Sequence, residues 1–341
     1  MSSAFRRLIR KPSIAVDLGT ANTRMYSCET GMISEEPSLV RMVPQNNKLQ
    51  PPDKLIEYLN SRFISFPLRG GVITEADNAV SLLKPLIKRA RTLRAPVSLA
   101  CAPTDSSEKE RRLLAETISS AGASHVAIVP EPWAAAIGAG IDMDSPNAQL
   151  LIDIGDGVTD MVVIRNGRLV YTSAIRTACS DLHKAVRSAI IGRHRVSPYH
   201  SDIERLTYEI DALVEPGALF DDRPIKVEGI DIIKRREAVV DVTRREIIKA
   251  MEPAIYRILR MIRTNVGRLS ERTLSELQDS GICLTGGGSC IKGIDRLIEL
   301  KTGLKTRIAK DPIHAVINGA IQTLEYWKER DLWWKEIVWP L

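Results

Sequence analysis

The chain has 341 residues, 44% hydrophobic and 26% charged, with a formal net charge of +6. That length covers two ordinary domains with real hydrophobic cores, and the balance excludes a disordered or acidic-tail protein. No run approaches the roughly 18 consecutive apolar residues of a membrane span, and five cysteines without C-x-x-C spacing argue against a disulfide framework or zinc site and for a cytoplasmic protein with reduced thiols.

In the N-terminal MSSAFRRLIRK, Met1, Ala4, Phe5, Leu8 and Ile9 fall at helical spacing, Arg6, Arg7, Arg10 and Lys11 supply a polar face, and Pro12 stops the helix. The pattern predicts an amphipathic helix over residues 1–11 that lies on an anionic membrane surface; a frayed terminus or one docked on the core is the alternative. The positive charge also suits nucleic acid, but without an aromatic-basic reading surface no nucleic-acid partner is expected.

IAVDLGTANTRMYSC follows, a β-branched run ending in Asp17, a glycine turn and a second apolar run, which reads as a strand–turn–strand hairpin. MISEEPSLVRMV predicts a further strand. Residues from about 44 to 66 are polar and Pro-rich, with one short helix over 53–59, and suggest a small inserted subdomain. EADNAVSLLKPLIKRARTLRAP has helical periodicity interrupted at Pro85 and ends in Lys88, Arg89, Arg91 and Arg94, read as a solvated face. VSLACAPTDSSEKERRLLAETISSAGA predicts a strand, a turn in which Ser106 or Ser107 caps, and an amphipathic helix stopped near Gly122. HVAIVPEPWAAAIGAG repeats strand then helix, the helix Ala-rich enough to pack closely on a neighbour. This alternation through both halves argues for α/β architecture.

LLIDIGDGVTDMVVI, around Asp153, repeats the pattern of the first hairpin. GICLTGGGSCIKGI, with Gly286, Gly287 and Gly288, follows a strand and opens a helix. At the C-terminus, LEYWKERDLWWKEIVWPL holds Trp327, Trp333, Trp334 and Trp339, a density that suits a segment docked on the body or, alternatively, a contact surface.

The paired hairpins suggest a nucleotide clamp. A glycine turn lets backbone N–H groups approach phosphate oxygens, and an aspartate at a strand end holds Mg²⁺ through water. None of the three glycine segments is a P-loop, because no Gly-Lys-Ser/Thr follows.

In order and spacing, DLGTANT (17–23), EEPSLV (35–40), EPWAAAIGAG (131–140), DIGDGVTD (153–160), LTGGGSCIKGI (284–294) and KDPIHAVINGA (310–320) make the chain resemble the MreB-like bacterial actins, within the actin, sugar kinase and heat-shock chaperone ATPase superfamily. The resemblance implies an α/β, actin-like two-domain fold, each half a mixed sheet flanked by helices, with a nucleotide cleft between them. Its expected domains are residues 12–146 with 311–341, carrying a small insert at 36–69, and residues 147–310, carrying a small subdomain at 181–243. It implies ATP and Mg²⁺ as cofactors. Asp17 and Asp153 would position the metal, Glu131 would orient the attacking water with Asp153 beside it, and Gly19, Thr20, Ala21 and Asn22 would wrap phosphate oxygens. Gly155, Asp156, Gly157 and Thr159 belong to the second phosphate turn, Glu204 to the adenosine side, and Gly286, Gly287 and Gly288 let the backbone lie against the adenosine. Filament self-association, an anionic inner membrane surface bound through Phe5, Arg6, Arg7, Leu8, Ile9 and Arg10, and cell-shape or cell-wall synthesis partners complete the expectation. The place is the cytoplasm, peripheral on the inner face of the cytoplasmic membrane.

Several positions depart from the family pattern. Asp156 replaces a glycine and Val158 a threonine in the second hairpin, Tyr199 and His200 stand at a Gly-Glu pair, Thr207 at a lysine, and Cys179-Ser180 at a Gly-Asp. A carboxylate at a phosphate-facing turn repels polyphosphate unless it joins the metal site, and the sequence leaves both open. The alternatives within the fold are a scaffold with weak or absent hydrolysis and a monomeric kinase or chaperone ATPase. The lack of a recognisable sugar-site segment weighs against the kinase, and a chaperone substrate domain beyond the actin-like region is not expected.

Overall fold

In a computed structural model, residues 13–41, 64–90, 95–209, 223–329 and 338–339 are described. The expected helices at 1–11 and 53–59, with Arg91, Arg94, Trp333 and Trp334, lie outside them.

Two five-stranded sheets form the frame, and they share one topology. In the first, Ile14–Leu18 pairs antiparallel with Asn22–Ser27, which pairs antiparallel with Met32–Pro37; on the other side Val97–Ala102 and then His125–Pro130 add in parallel. In the second, Gln149–Ile154, Thr159–Arg165 and Arg168–Ile175 repeat the antiparallel trio, and Ile282–Thr285 and Thr306–Ile308 repeat the parallel pair. The sequence repeat is therefore a structural one, and each half is a mixed sheet flanked by helices. Both leading strands are almost wholly buried, so their apolar runs reflect coverage on two faces.

A third, antiparallel sheet of Val196–Pro198, Ile225–Asp231 and Glu237–Val242 packs with helix His200–Glu209 on the second half. Val227, Val242, Ile203 and Leu206 close it onto the core shared with Ile152, Ile154 and Leu182.

Helix Ala76–Arg89 runs unbroken through Pro85, where periodicity suggested an interruption. The ring lies on the exposed side, while Ala79, Leu82, Leu83, Leu86 and Ile87 keep one continuous buried stripe. Packing of that stripe outweighs the one helical hydrogen bond that proline removes. Ser107 is the N-cap of Glu108–Ser120, in a capping box with Glu110. Past Ile282–Thr285, the glycine triplet forms a 3₁₀ turn, Gly287–Cys290, and the helix begins only at Ile294.

Helix Glu131–Gly138 crosses helix Ala315–Glu329 at backbone contact. A Cβ on Gly319 would sit 1.7 Å from the Ala134 carbonyl oxygen, and one on Gly138 1.9 Å from that of Ala315. The Ala-rich pattern is what this approach requires. Around the crossing, one buried cluster joins Ala15 and Leu99 of the first sheet to Leu151, Val162 and Cys283 of the second.

Near the C-terminus, Trp339 docks. Its backbone N–H donates to the Ile128 carbonyl at 2.9 Å, and the Arg111 guanidinium stands 4.7 Å from its ring centroid. The contact covers the open edge of strand His125–Pro130.

Glu276, on helix Glu271–Ser280, ties the start of the second sheet. It accepts from the Ala148 N–H at 2.8 Å and from Arg165 at 2.6 Å. Those two bonds, Arg165 first, draw its carboxyl from 4.5 down to about 2. A carboxyl lowered on folding contributes stability that is present above its unfolded value and lost as pH falls through the folded one. Glu276→Gln is therefore expected to lower the thermal midpoint at pH 7, and its deficit should shrink as pH falls from 4.5 toward 2. Thermal unfolding across that range checks it; a deficit independent of pH would count against the pairing.

Candidate functional site

Asp17 and Asp153 are the penultimate residues of the two leading strands, so the shared topology brings both to the facing ends of the sheets. Asp160 sits opposite Asp153 in its hairpin. Glu131 is the first residue of the helix that follows strand His125–Pro130, and Pro132 in its first turn sets that start. Burial raises Asp17 and Asp153 to about 6 and Asp160 to about 7, and pushes Glu131 well above the usual carboxylate range. After burial, the charges of Asp17, Asp153 and Asp160, in that order, raise Glu131, so the four carboxyls share one desolvated space.

Their supports come from both halves. The Thr285 hydroxyl donates to Asp153 Oδ1 at 2.5 Å; the Thr104 N–H donates to Asp160 at 3.1 Å, and the Thr104 hydroxyl donates to it as well. Arg24, on the strand beside Asp17, places Nη1 3.5 Å from the Asp17 carboxylate.

Among the described residues, no three His, Cys, Asp or Glu converge as a direct metal cage. The two buried strand-end carboxylates, Asp17 and Asp153, are a donor set that a hydrated Mg²⁺ would fit, since that ion keeps several of its waters and takes only one or two carboxylates from a protein. Buried carboxyls with raised protonation thresholds are the chemistry such a hydrated ion stabilises.

Both glycine turns are tight. The Gly19 N–H donates to Asn22 O at 3.1 Å, the Gly155 N–H to Val158 O at 2.9 Å, and the Ser38 hydroxyl to Gly19 O at 2.6 Å. The first turn spans Gly19, Thr20, Ala21 and Asn22. A third turn, Gly70-Gly71 between the short strands Leu68–Arg69 and Val72–Ile73, reaches in from the first half. The Gly71 N–H donates to the Thr20 hydroxyl at 3.0 Å, and a Cβ on Gly157 would meet Thr20 Oγ1 at 2.4 Å and Gly71 N at 2.5 Å. The two phosphate-type turns are thus neighbours across the halves. Thr159 is turned inward, its hydroxyl donating to Thr177 O at 2.8 Å.

Asp156 belongs to a different wall. Its carboxyl, raised to about 6 by burial and moderated by Lys184 and His200, lies 4.0 Å from His183 Nδ1. His183 packs edge-on to His200 and Tyr208, and His200 pairs with Glu204 at 3.3 Å. The glycine triplet completes this wall. A Cβ on Gly288 would fall 2.2 Å from the Ile154 side chain, and one on Gly286, whose φ is +77°, 2.3 Å from Ile154 O, whereas Gly287 faces the Tyr208 hydroxyl. Two of the three glycines are thus required by packing on the strand that carries Asp153.

Asp17, Glu131, Asp153 and both turns come together; Asp156, Glu204 and Gly286–Gly288 form the adjoining wall. Phe5, Arg6, Arg7, Leu8, Ile9 and Arg10 are outside the described residues. Sequence reasoning missed Arg24, Asp160, Thr104, Thr285 and the Gly70-Gly71 turn. Arg24 and Asp160 were within reach, since each stands seven residues after the hairpin's aspartate, the position that antiparallel pairing places opposite it.

A family model described as MreB/Mbl protein matches residues 11–331. The cell shape-determining protein MreB of Pasteurella multocida (strain Pm70) is 28% identical over 326 residues, 92% of each chain. MreB of Escherichia coli (strain K12) is 27% identical over 326 residues, 92% of this chain and 93% of that one. The crystal structure of MreB5 of Spiroplasma citri bound to AMPPNP superposes with a TM-score of 0.80 at 27% identity, covering 94% of this chain and 98% of that one.

The contact between the turns makes a specific expectation. Gly157→Ala forces a methyl between Thr20 and the Gly70-Gly71 backbone, and should cost about 1–3 kcal/mol by overpacking. Because the strain lies between the halves, it should also raise the radius of gyration in small-angle scattering. A variant as compact and as stable as the wild type would contradict the described contact.

Proposed function

The chain belongs to the MreB/Mbl protein family, and from that membership as an actin-like cytoskeletal protein we propose that it binds ATP with Mg²⁺ between its halves and assembles into filaments on the inner face of the cytoplasmic membrane, where it organises cell shape or cell-wall synthesis. The observation that carries the nucleotide part is the convergence of Asp17, Glu131, Asp153 and Asp160 in one buried space flanked by two glycine turns. The solved relative from Spiroplasma citri, bound to AMPPNP, supports the same ligand class.

In this reading Mg²⁺, when bound, supplies charge neutralisation for the polyphosphate. Asp17 and Asp153 would hold the hydrated ion, with Thr285 fixing the Asp153 carboxylate. With the Gly19 and Gly155 N–H groups closing their own turns, the N–H groups of residues 20–21 and 156–157 are the ones that would meet phosphate oxygens. Glu131, held at a helix start with an elevated proton affinity, orients a water for in-line attack. Glu204 and Gly286–Gly288 border the adenosine. Asp156 and Val158 give the second turn an extra carboxylate and remove a hydroxyl relative to the family pattern. The two domains follow the division stated above, residues 12–146 with 311–341 and residues 147–310, with small subdomains at 36–69 and 181–243.

No helix among the described residues is long and apolar enough to cross a membrane. Surface attachment is proposed to reside in residues 1–11, through Phe5, Leu8 and Ile9 in the lipid boundary and Arg6, Arg7 and Arg10 on headgroups.

Assembly is tested by sedimentation. Micromolar protein with ATP and Mg²⁺ should pellet as filaments visible by electron microscopy, and monomers throughout a survey of salt, nucleotide and lipid would overturn the cytoskeletal reading. Attachment is tested separately by flotation with anionic liposomes: deletion of residues 1–11 should abolish it, and the full chain's binding should weaken with salt. Unchanged flotation of the truncated chain would place the contact elsewhere.

A further inference from the structure

Asp17, Arg24 and Glu35 stand side by side across three antiparallel strands, Asp17 opposite Arg24 and Arg24 opposite Glu35. Arg24 is 7% exposed, with Nη1 3.5 Å from Asp17 Oδ2 and Nη2 2.7 Å from Glu35 Oε1; its Nε has no hydrogen-bond partner among the described residues. His314 closes the far end of the row, 3.3 Å from Glu35 and 2.9 Å from Asp311. In the duplicated hairpin the position equivalent to Arg24 is Asp160. One half therefore sets a fixed cation against its strand-end carboxylate, and the other sets a second carboxylate there.

The asymmetry has a chemical meaning. An arginine stays charged at any working pH, so the Asp17 carboxylate always has a counter-charge within reach. The same cation lowers the proton affinity of Glu131. A divalent ion approaching Asp17 meets a carboxylate already shared, and is repelled by the guanidinium. An incoming polyphosphate meets a wall whose repulsion is partly cancelled before any metal arrives.

We propose that Arg24 is a resident counter-cation of the cleft, supplying beside Asp17 part of the charge a divalent ion would bring, so that a nucleoside triphosphate binds with weak dependence on Mg²⁺. This rests on the proposed nucleotide site. It assigns Arg24 a positioning and electrostatic role in which the positive charge is the working property.

Calorimetric binding of AMPPNP to the full chain, in excess EDTA and in saturating Mg²⁺, gives a ratio of affinities that reads the effect. The wild-type ratio should stay below about tenfold, Arg24→Met should widen it by about tenfold, and Arg24→Lys should restore it. Glu35→Gln, at the exposed end of the row, leaves the guanidinium to Asp17 alone and should narrow the ratio; it decides the matter if Arg24→Met does not fold. Wild-type binding that disappears in EDTA, or ratios unchanged in both Arg24→Met and Glu35→Gln, overturns the proposal. If the wild type binds no AMPPNP even with Mg²⁺, the nucleotide reading itself falls. Arg24 is then still tested by Mn²⁺ titration followed by electron paramagnetic resonance: about tenfold tighter Mn²⁺ binding to Arg24→Met supports the counter-cation, and equal affinities overturn it.

Discussion

Four carboxyls held in one desolvated space constrain everything around them. Separated and solvated, Asp17, Glu131, Asp153 and Asp160 would ionise independently; brought together, each raises the cost of ionising the next. A fold tolerates such a cluster only where buried donors and a cation offset it. Thr285, Thr104 and Arg24 do so here, two of them from outside the hairpins that carry the acids. The cluster is thus a region of stored electrostatic repulsion, relieved by whatever positive charge enters.

The halves have to meet closely for those acids to converge. Helices Glu131–Gly138 and Ala315–Glu329 cross with no room for a side chain at Gly138 or Gly319, and this crossing fixes the position of Glu131 relative to both sheets. Gly157, in the second hairpin's turn, lies against Thr20 and the Gly70-Gly71 turn. Arg176, from the second half, reaches Asp105 at 2.8 Å and Glu110 at 3.0 Å in the first. Small residues set the distance between the halves and charged ones bridge the rim, which makes the space between them sensitive to any ligand that competes for Thr20, Asp160 or Arg176.

The duplicated hairpins are alike in backbone and unlike in charge. Asp17 faces Arg24, whereas Asp153 faces Asp160. The wall beside the second hairpin differs again, with Asp156 where the family pattern led to a glycine, Tyr199-His200 to a Gly-Glu pair and Thr207 to a lysine, and with His183 packed edge-on to His200 and Tyr208 beside them. These substitutions change the electrostatics of the cleft while leaving the sheet topology and the superposition on a solved relative intact.

Local pattern by itself determined the strand–helix alternation, the close-packing helix after Glu131, the strand-end aspartates and, once the two hairpins are compared, the repeat, because each element depends on residues within a few positions of one another; it placed the cap at Ser106 or Ser107, of which the structure selects Ser107. It misjudged Pro85, since a missing hydrogen bond is visible in sequence and the buried stripe that outweighs it is measured only against a neighbour. The convergence of the four carboxyls, the Thr104 and Thr285 supports, the Gly70-Gly71 turn against Gly157 and the docking of Trp339 on Ile128 were decided by tertiary structure alone. The threonine supports, the Gly70-Gly71 contact and the Trp339 docking each join segments at least 50 residues apart, the carboxyl cluster brings Asp17 to Glu131 and the second hairpin, and what such contacts do depends on distance and desolvation, which a linear pattern does not encode.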